Sequence, residues 1–139
     1  MAVQSRGMSQ HLALVAILVP SYQEGLDFFV GTLGFELLED TDLGHDKRWV
    51  RVAPRNAQTG FLLARAIGVQ QHHIGQQGGG RVWLFLHTNE FDADYDRLTK
   101  AGVIFEERPR NESYGKVAVF RDPFGNRWDL LQLNGTLYD

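Results

Sequence analysis

The stretch LALVAILV, from Leu12 to Val19, is apolar without a break and rich in branched residues. Its length and branching predict a buried strand. Pro20 ends it, and Ser21-Tyr22-Gln23-Glu24 follows as a capping box. The hydroxyl can cap the helix start while Glu24 reaches back to the amide of Ser21. Tyr22, Leu26, Phe29, Val30 and Leu33 then recur at helical spacing, Gly34 stops the helix, and FELLE (Phe35 to Glu39) resumes as strand.

The second half repeats this pattern. VWLFLH (Val82 to His87) is a strand, Asn89 can cap a helix, and Phe91, Tyr95 and Leu98 form its apolar stripe. Gly102 stops it, and VIFEE (Val103 to Glu107) is strand. Ser21 to Gly34 and Asn89 to Gly102 both span 13 positions, and LGFELLE and AGVIFEE align at the same offset of 68. A cap, helix, stop and strand recurring in register is an internal repeat. Each module continues with further strands: RWVRV (Arg48 to Val52) and FLLARA (Phe61 to Ala66) in the first, KVAVF (Lys116 to Phe120) and NRWDLLQL (Asn126 to Leu133) in the second. The expectation is one α+β domain over residues 11–134: module one at about 11–66, a linker at 67–80 and module two at about 81–134. The Gln-rich linker ends in three glycines and reads as a mobile strap or lid. A single βαβββ module could not cover both faces of its helix and sheet, so the two must share a core.

Composition narrows the class. With 139 residues, 43% apolar and 22% charged, the chain has an ordinary globular make-up. The longest apolar run is too short to span a bilayer, so no membrane partner is expected. There is no cysteine, hence no disulfide, thiolate metal site or cysteine nucleophile. That fits a cytoplasmic location. Net charge is −3 and no long basic run occurs, which argues against nucleic acid as a partner.

The motifs VPSYQEGLDFFVGTLGFEL, DRLTKAGVIF and the closing VFRDPFGNRWDLLQ together resemble the vicinal oxygen chelate superfamily, which includes glyoxalase I, bleomycin-resistance proteins, fosfomycin-resistance proteins and extradiol dioxygenases. The resemblance implies tandem βαβββ modules forming a cupped mixed β-sheet, with helices outside, the site in the cup and two chains paired as a homodimer. It also implies metal ligands on inward strand positions. Those positions here are Leu14, a residue of FLLARA where only Arg65 is ionisable, Trp83 and Asp129. No Asp or Glu occurs between Lys47 and Asn89. One ligand of the implied set therefore survives, and the expectation is a site without metal or other cofactor.

Several residues are candidates for the chemistry that remains. Asp129 shares a strand face with Arg127, so it is either a cavity carboxylate or half of a surface ion pair. His87 shares a face with Trp83 and Phe85 by the two-residue period. It is either a polar anchor in an aromatic pocket or a strand-end histidine near the Asn89 cap. Trp49 and Arg51 alternate on RWVRV as ligand contacts or as plain sheet packing, Tyr114 is a candidate rim residue, and Trp128 or its neighbours could join the lining. His72-His73 have no Cys, Asp or Glu nearby, and His45, between Asp42 and Asp46, has weak ligand character in a loop. Two functions stay open. One is a binding or sequestering protein that holds a small organic molecule among Trp83, Phe85, Trp49, Arg51 and Tyr114. The other is a glyoxalase-type lyase or isomerase with Asp129 or His87 as general base. A bare dimerisation module is a third, and it would need no aromatic cavity.

Overall fold

The strand–helix–three-strand pattern is present twice in the computed structural model, which describes residues 9–135. Module one comprises β1 (Leu14–Val19), α1 (Tyr22–Leu26) continuing as a π-helical segment (Asp27–Thr32), β2 (Glu36–Gly44), β3 (Lys47–Ala53) and β4 (Gly60–Arg65). Module two comprises β5 (Val82–His87), α2 (Phe91–Lys100), β6 (Ile104–Phe105), β7 (Arg110–Glu112), β8 (Gly115–Arg121) and β9 (Arg127–Leu133). The first sheet has the order β1-β4-β3-β2 and the second β5-β9-β8-β6, with β7 also on β8. In both, the first and last strands of the module are parallel neighbours. The one long strand of module one, β2, is answered by two short ones, because the chain bulges out at Glu106–Pro109 between β6 and β7.

The ladders superimpose residue by residue. Val50 pairs Leu63 and Val52 pairs Phe61 in the first sheet. Ala118 pairs Leu130 and Phe120 pairs Trp128 in the second. These eight side chains are buried and point toward the helices. Phe29 of the π-helical segment touches Phe61 of its own module at 5.5 Å and Trp128 of the other at 6.1 Å between ring centroids. One core thus serves both modules. Arg97 of α2 adds a polar tie, donating to the carbonyls of Thr32 and Leu33 at the end of the first module's helix. Gly34 and Gly102 close the two helices at φ +90° and +91°, a conformation that any side chain would strain.

The turn Asp122–Asn126 carries the most connected carboxylate. Asp122 is 4% exposed. Its Oδ1 accepts from the amides of Phe124 and Asn126, both at 3.0 Å. Its Oδ2 accepts from the Asn126 side chain and from Trp128 Nε1, again at 3.0 Å. Trp128 is therefore a core residue tethered to the turn and does not line a pocket.

Three local expectations need correction. Glu24 reaches the Ser21 hydroxyl (2.8 Å), while that hydroxyl accepts from the Glu24 amide. Asn89 does not cap the second helix: Glu90, at its start, makes no side-chain cap bond, the Thr88 hydroxyl accepts from the Glu90 amide and donates to Asp94, and the Phe91 amide donates to the Gln132 side chain. Residues 67–80 are no free linker. Gly68–His73 forms a 3₁₀ helix, and the Gln77 side chain bonds the exposed edge of β1, accepting from Leu18 N and donating to Ala16 O. Gly75 (φ +75°) lies so close to Phe124 that a Cβ there would sit 2.0 Å from its carbonyl oxygen.

Replacing Asp122 with Ala strands buried donors on Trp128 and the turn. It should lower unfolding free energy by about 3 kcal/mol, read as a fall in the urea midpoint at unchanged slope.

Candidate functional site

Each sheet has a second face, turned away from the helices, and the candidate residues collect there. In module two β9 contributes Arg127, Asp129 and Leu131 to this outer face. Register places Asp129 between Val119 of β8 and Phe85 of β5, and His87 opposite Leu131. Phe85 is 64% exposed although it sits mid-strand. A large ring is thus presented directly beside a carboxylate.

The charges around Asp129 are paired with each other and leave it out. Arg127 donates to both oxygens of Glu106, at 2.9 and 2.8 Å, and to the Gly80 carbonyl. Arg121 joins the same glutamate at 2.8 Å. Arg110 bridges Glu107 (2.9 Å) and Glu112, and the other Glu107 oxygen accepts from the Val119 amide. Asp129 Oδ1 is buried and has no hydrogen-bond partner. Burial pushes the Asp129 carboxyl above the ordinary range; Glu107 adds to the rise, and Arg110 and Arg127 offset part of it. Glu106 is held below its usual range, first by its bonds to Arg127. Asp129 is thus not Arg127's surface partner.

Module one presents a different face. Leu62 pairs Arg51 and Ala16, as Asp129 pairs Val119 and Phe85, so Leu62 is the counterpart of Asp129. Trp49 lies on this face, 36% exposed. Arg51 lies beside it and is tied to Glu39 at 3.0 Å. The Thr41 hydroxyl and then Arg51 hold the Glu39 carboxyl below its usual range. Arg65, the ionisable residue of FLLARA, sits at the strand end and donates to the Asp46 carbonyl.

The remaining candidates disperse. The β5–β9 ladder slips between Val82 and Leu84, which breaks the expected alternation. Trp83 has no ladder partner there and packs against the core and Gly78. His87, at the end of β5, lines a polar cleft of about 800 Å³ between the modules with Thr88, Asp94 and Arg97. Tyr114 lies 48% exposed just before β8, its carbonyl accepting from Asn134 N. His72 and His73 are exposed on the 3₁₀ helix, and His45 sits in the β2–β3 turn at φ 54°. Sequence reasoning passed over Glu106, Glu107 and Arg110; the only signal for them is the charge density of EERPR after a short strand.

The positions at which the resemblance implies ligands are, with Leu62 assigned by register, Leu14, Leu62, Trp83 and Asp129. Among the described residues no cluster of three or more His, Cys, Asp or Glu could hold an ion. One carboxylate flanked by arginines and apolar side chains does not fit a divalent cation, which needs several oxygen or nitrogen donors to offset dehydration.

The Glyoxalase/Bleomycin resistance protein/Dioxygenase superfamily model matches residues 11–130. The chain belongs to that superfamily. An uncharacterized protein of Shewanella frigidimarina (strain NCIMB 400) is 48% identical over 130 residues, covering 91% of this chain and 96% of the relative. The crystal structure of UcmS2 superimposes with a TM-score of 0.77 at 30% identity, covering 89% and 98% of the two chains. That of TnmS3, an antibiotic binding protein from Streptomyces sp. CB03234, gives 0.74 at 34% identity, covering 94% and 100%. Superfamily membership agrees with the two-module α+β architecture. No helix among the described residues is long and apolar enough to cross a membrane.

Because the folded state raises the Asp129 pKa, it binds a proton more tightly than the unfolded chain does. That contribution to stability is complete at low pH and is lost as pH rises through the raised pKa. Asp129→Asn removes the penalty, so its Tm should exceed the wild-type value by a few degrees at pH 7.5. The difference should shrink toward zero as pH falls to 4. Paired scanning-calorimetry runs across that range check this.

Proposed function

We propose that the protein binds a small organic molecule with an aromatic ring system on the outer faces of its sheets, without using a metal ion. The observation that carries this is Asp129 Oδ1, buried and unpaired beside the exposed ring of Phe85. Such a carboxylate costs stability in the free protein, and a bound partner recovers it. Trp49, Arg51 and Tyr114 are the further ligand contacts, with Trp83 behind the strand slip and His87 at the cleft. The likeness to an antibiotic binding protein over nearly the whole chain supports a binding role. Metal independence is supported by the apolar residues Leu14, Leu62 and Trp83 at the other ligand positions.

The ligand site is completed by a second copy of the chain. The outer face of module one carries Leu62 and Trp49, and that of module two carries Phe85. Each face is open in one chain, and closing one against the other makes a two-walled cup in a homodimer. Sedimentation equilibrium should give twice the chain mass, and Trp49→Glu should shift the population toward monomer.

The second reading is a lyase or isomerase in which Asp129 removes a proton next to a carbonyl, favoured by the upward shift of its pKa. A thermal-shift screen of planar aromatic natural products, with and without added Mn²⁺, Ni²⁺ or Zn²⁺, separates the readings. Binding predicts a rise of several degrees with at least one compound, unchanged by metal or chelator. A lyase or isomerase predicts consumption of the compound, abolished in Asp129→Asn. A stoichiometric metal in untagged purified protein would overturn metal independence.

A further inference from the structure

The charge balance around Asp129 says more about the ligand than its aromaticity. The outer face of module two holds the carboxylates Glu106, Glu107, Glu112 and Asp129 and the guanidinium groups of Arg110, Arg121 and Arg127. Glu106 takes Arg121 and Arg127, while Glu107 and Glu112 share Arg110. All three arginines are thereby committed to glutamates. Asp129 is the carboxylate of the group that no guanidinium serves, and its buried Oδ1 has no donor. Its two ladder neighbours, Val119 and Phe85, carry no donor side chain.

We infer that this site selects a ligand carrying a protonated amine, with the ammonium on Asp129 and its apolar flank on the ring of Phe85. The inference rests on the binding reading above and names the chemical class of the ligand. Three physical points converge on it. A half-buried carboxylate whose inner oxygen lacks a donor is best satisfied by a charged N–H, which forms a stronger bond than a neutral one. A cation meets the carboxylate of this face that no guanidinium serves, whereas an anionic ligand would meet its charge. An exposed aromatic ring in ladder register with a carboxylate offers the cation both a charge partner and a π face. Arg110 does not compete as an anion receptor, because it serves Glu107 and Glu112 at once. Module one offers no equivalent site: Leu62 stands where Asp129 stands, and its Arg51 is paired with Glu39.

Binding of the ammonium requires Asp129 to be ionised, so protons compete with it. The charged groups facing Asp129 are Arg127 on its own strand, Glu106, Glu107, Arg110 and Glu112 from the bulge and β7, Arg121 on β8, and His87 one ladder step away on β5. Bonds to their glutamates hold Arg110 and Arg127 protonated, and Glu106 is held to its ionised form by Arg127. Comparing the amine-to-alcohol ratio at each pH between the wild type and Asp129→Asn isolates the part of the pH dependence that belongs to Asp129.

The test uses three probes of one shape: 1-naphthylmethylamine, 1-naphthylmethanol and 1-naphthoate, titrated calorimetrically into full-length protein. At pH 7.5 the amine should bind about tenfold or more tightly than the alcohol, and the carboxylate more weakly than both. In Asp129→Asn the amine-to-alcohol ratio should collapse to about one, and Phe85→Ala should weaken the amine and the alcohol together. Without any change at Asp129, lowering the pH from 7.5 to 4.5 should reduce the same ratio, since only the amine needs the charge. Equal affinity for amine and alcohol, or a ratio insensitive to both Asp129→Asn and pH, would overturn the cation assignment and leave the aromatic binding reading standing. Failure of all three probes to bind at millimolar concentration would overturn the binding reading itself.

Discussion

The carboxylate of Asp122 holds the molecule's two halves in one arrangement. It is buried, and it is satisfied by two turn amides, one side-chain amide and the indole N–H of Trp128. Those bonds set where β9 begins and which way Trp128 points. Trp128 in turn packs against Phe29, Phe35 and Phe61 of module one and Phe120 of module two. Once Trp128 is fixed toward the helices, strand alternation fixes Asp129 on the opposite face. The core tether and the candidate site are therefore two consequences of one turn.

Among the described residues the candidate site keeps the strand positions of the fold without a donor set that fits a metal ion. A divalent ion needs several donors at once, and each donor lies on a different strand. Loss of any of them leaves the remaining carboxylate underused. Here the corresponding positions hold Leu14, Leu62 and Trp83, while the neighbouring arginines are absorbed by glutamates on the β6–β8 edge. What remains is a carboxylate with a raised proton affinity beside an exposed phenyl ring. That arrangement is poor at holding an ion and well suited to an organic donor.

The repeat, the helix stops and the strand order within each module were legible because they are written in local patterns. Gly34 and Gly102 stop their helices with matching dihedrals, and the apolar periods on either side recur at a nearly constant offset. The superfamily was legible from the closing turn motif for the same reason. The cap at Asn89 was misplaced because the helix starts one residue later, at Glu90, and its first amide, that of Phe91, is taken by Gln132 of β9, which is distant in the chain. The segment 67–80 was misjudged because a Gln- and Gly-rich composition describes an unpaired chain, whereas Gln77 here pairs with the open edge of β1 as a neighbouring strand would. Trp83 was misplaced because alternation assumes an unbroken ladder, and the β5–β9 slip breaks it one residue before the strand's exposed ring.

By itself, then, the sequence determined the duplicated module and the family. Both depend on spacing along the chain, which tertiary contacts do not alter. Only the tertiary structure decided what Asp129 is. Arg127 lies two positions away on the same strand face and is the partner that sequence proximity suggests. It turns instead to Glu106, 21 residues earlier in the chain, because β6 and the bulge after it bring that glutamate within 2.8 Å. Ion pairing is settled by distance and burial in three dimensions, and here it left one oxygen buried without a partner.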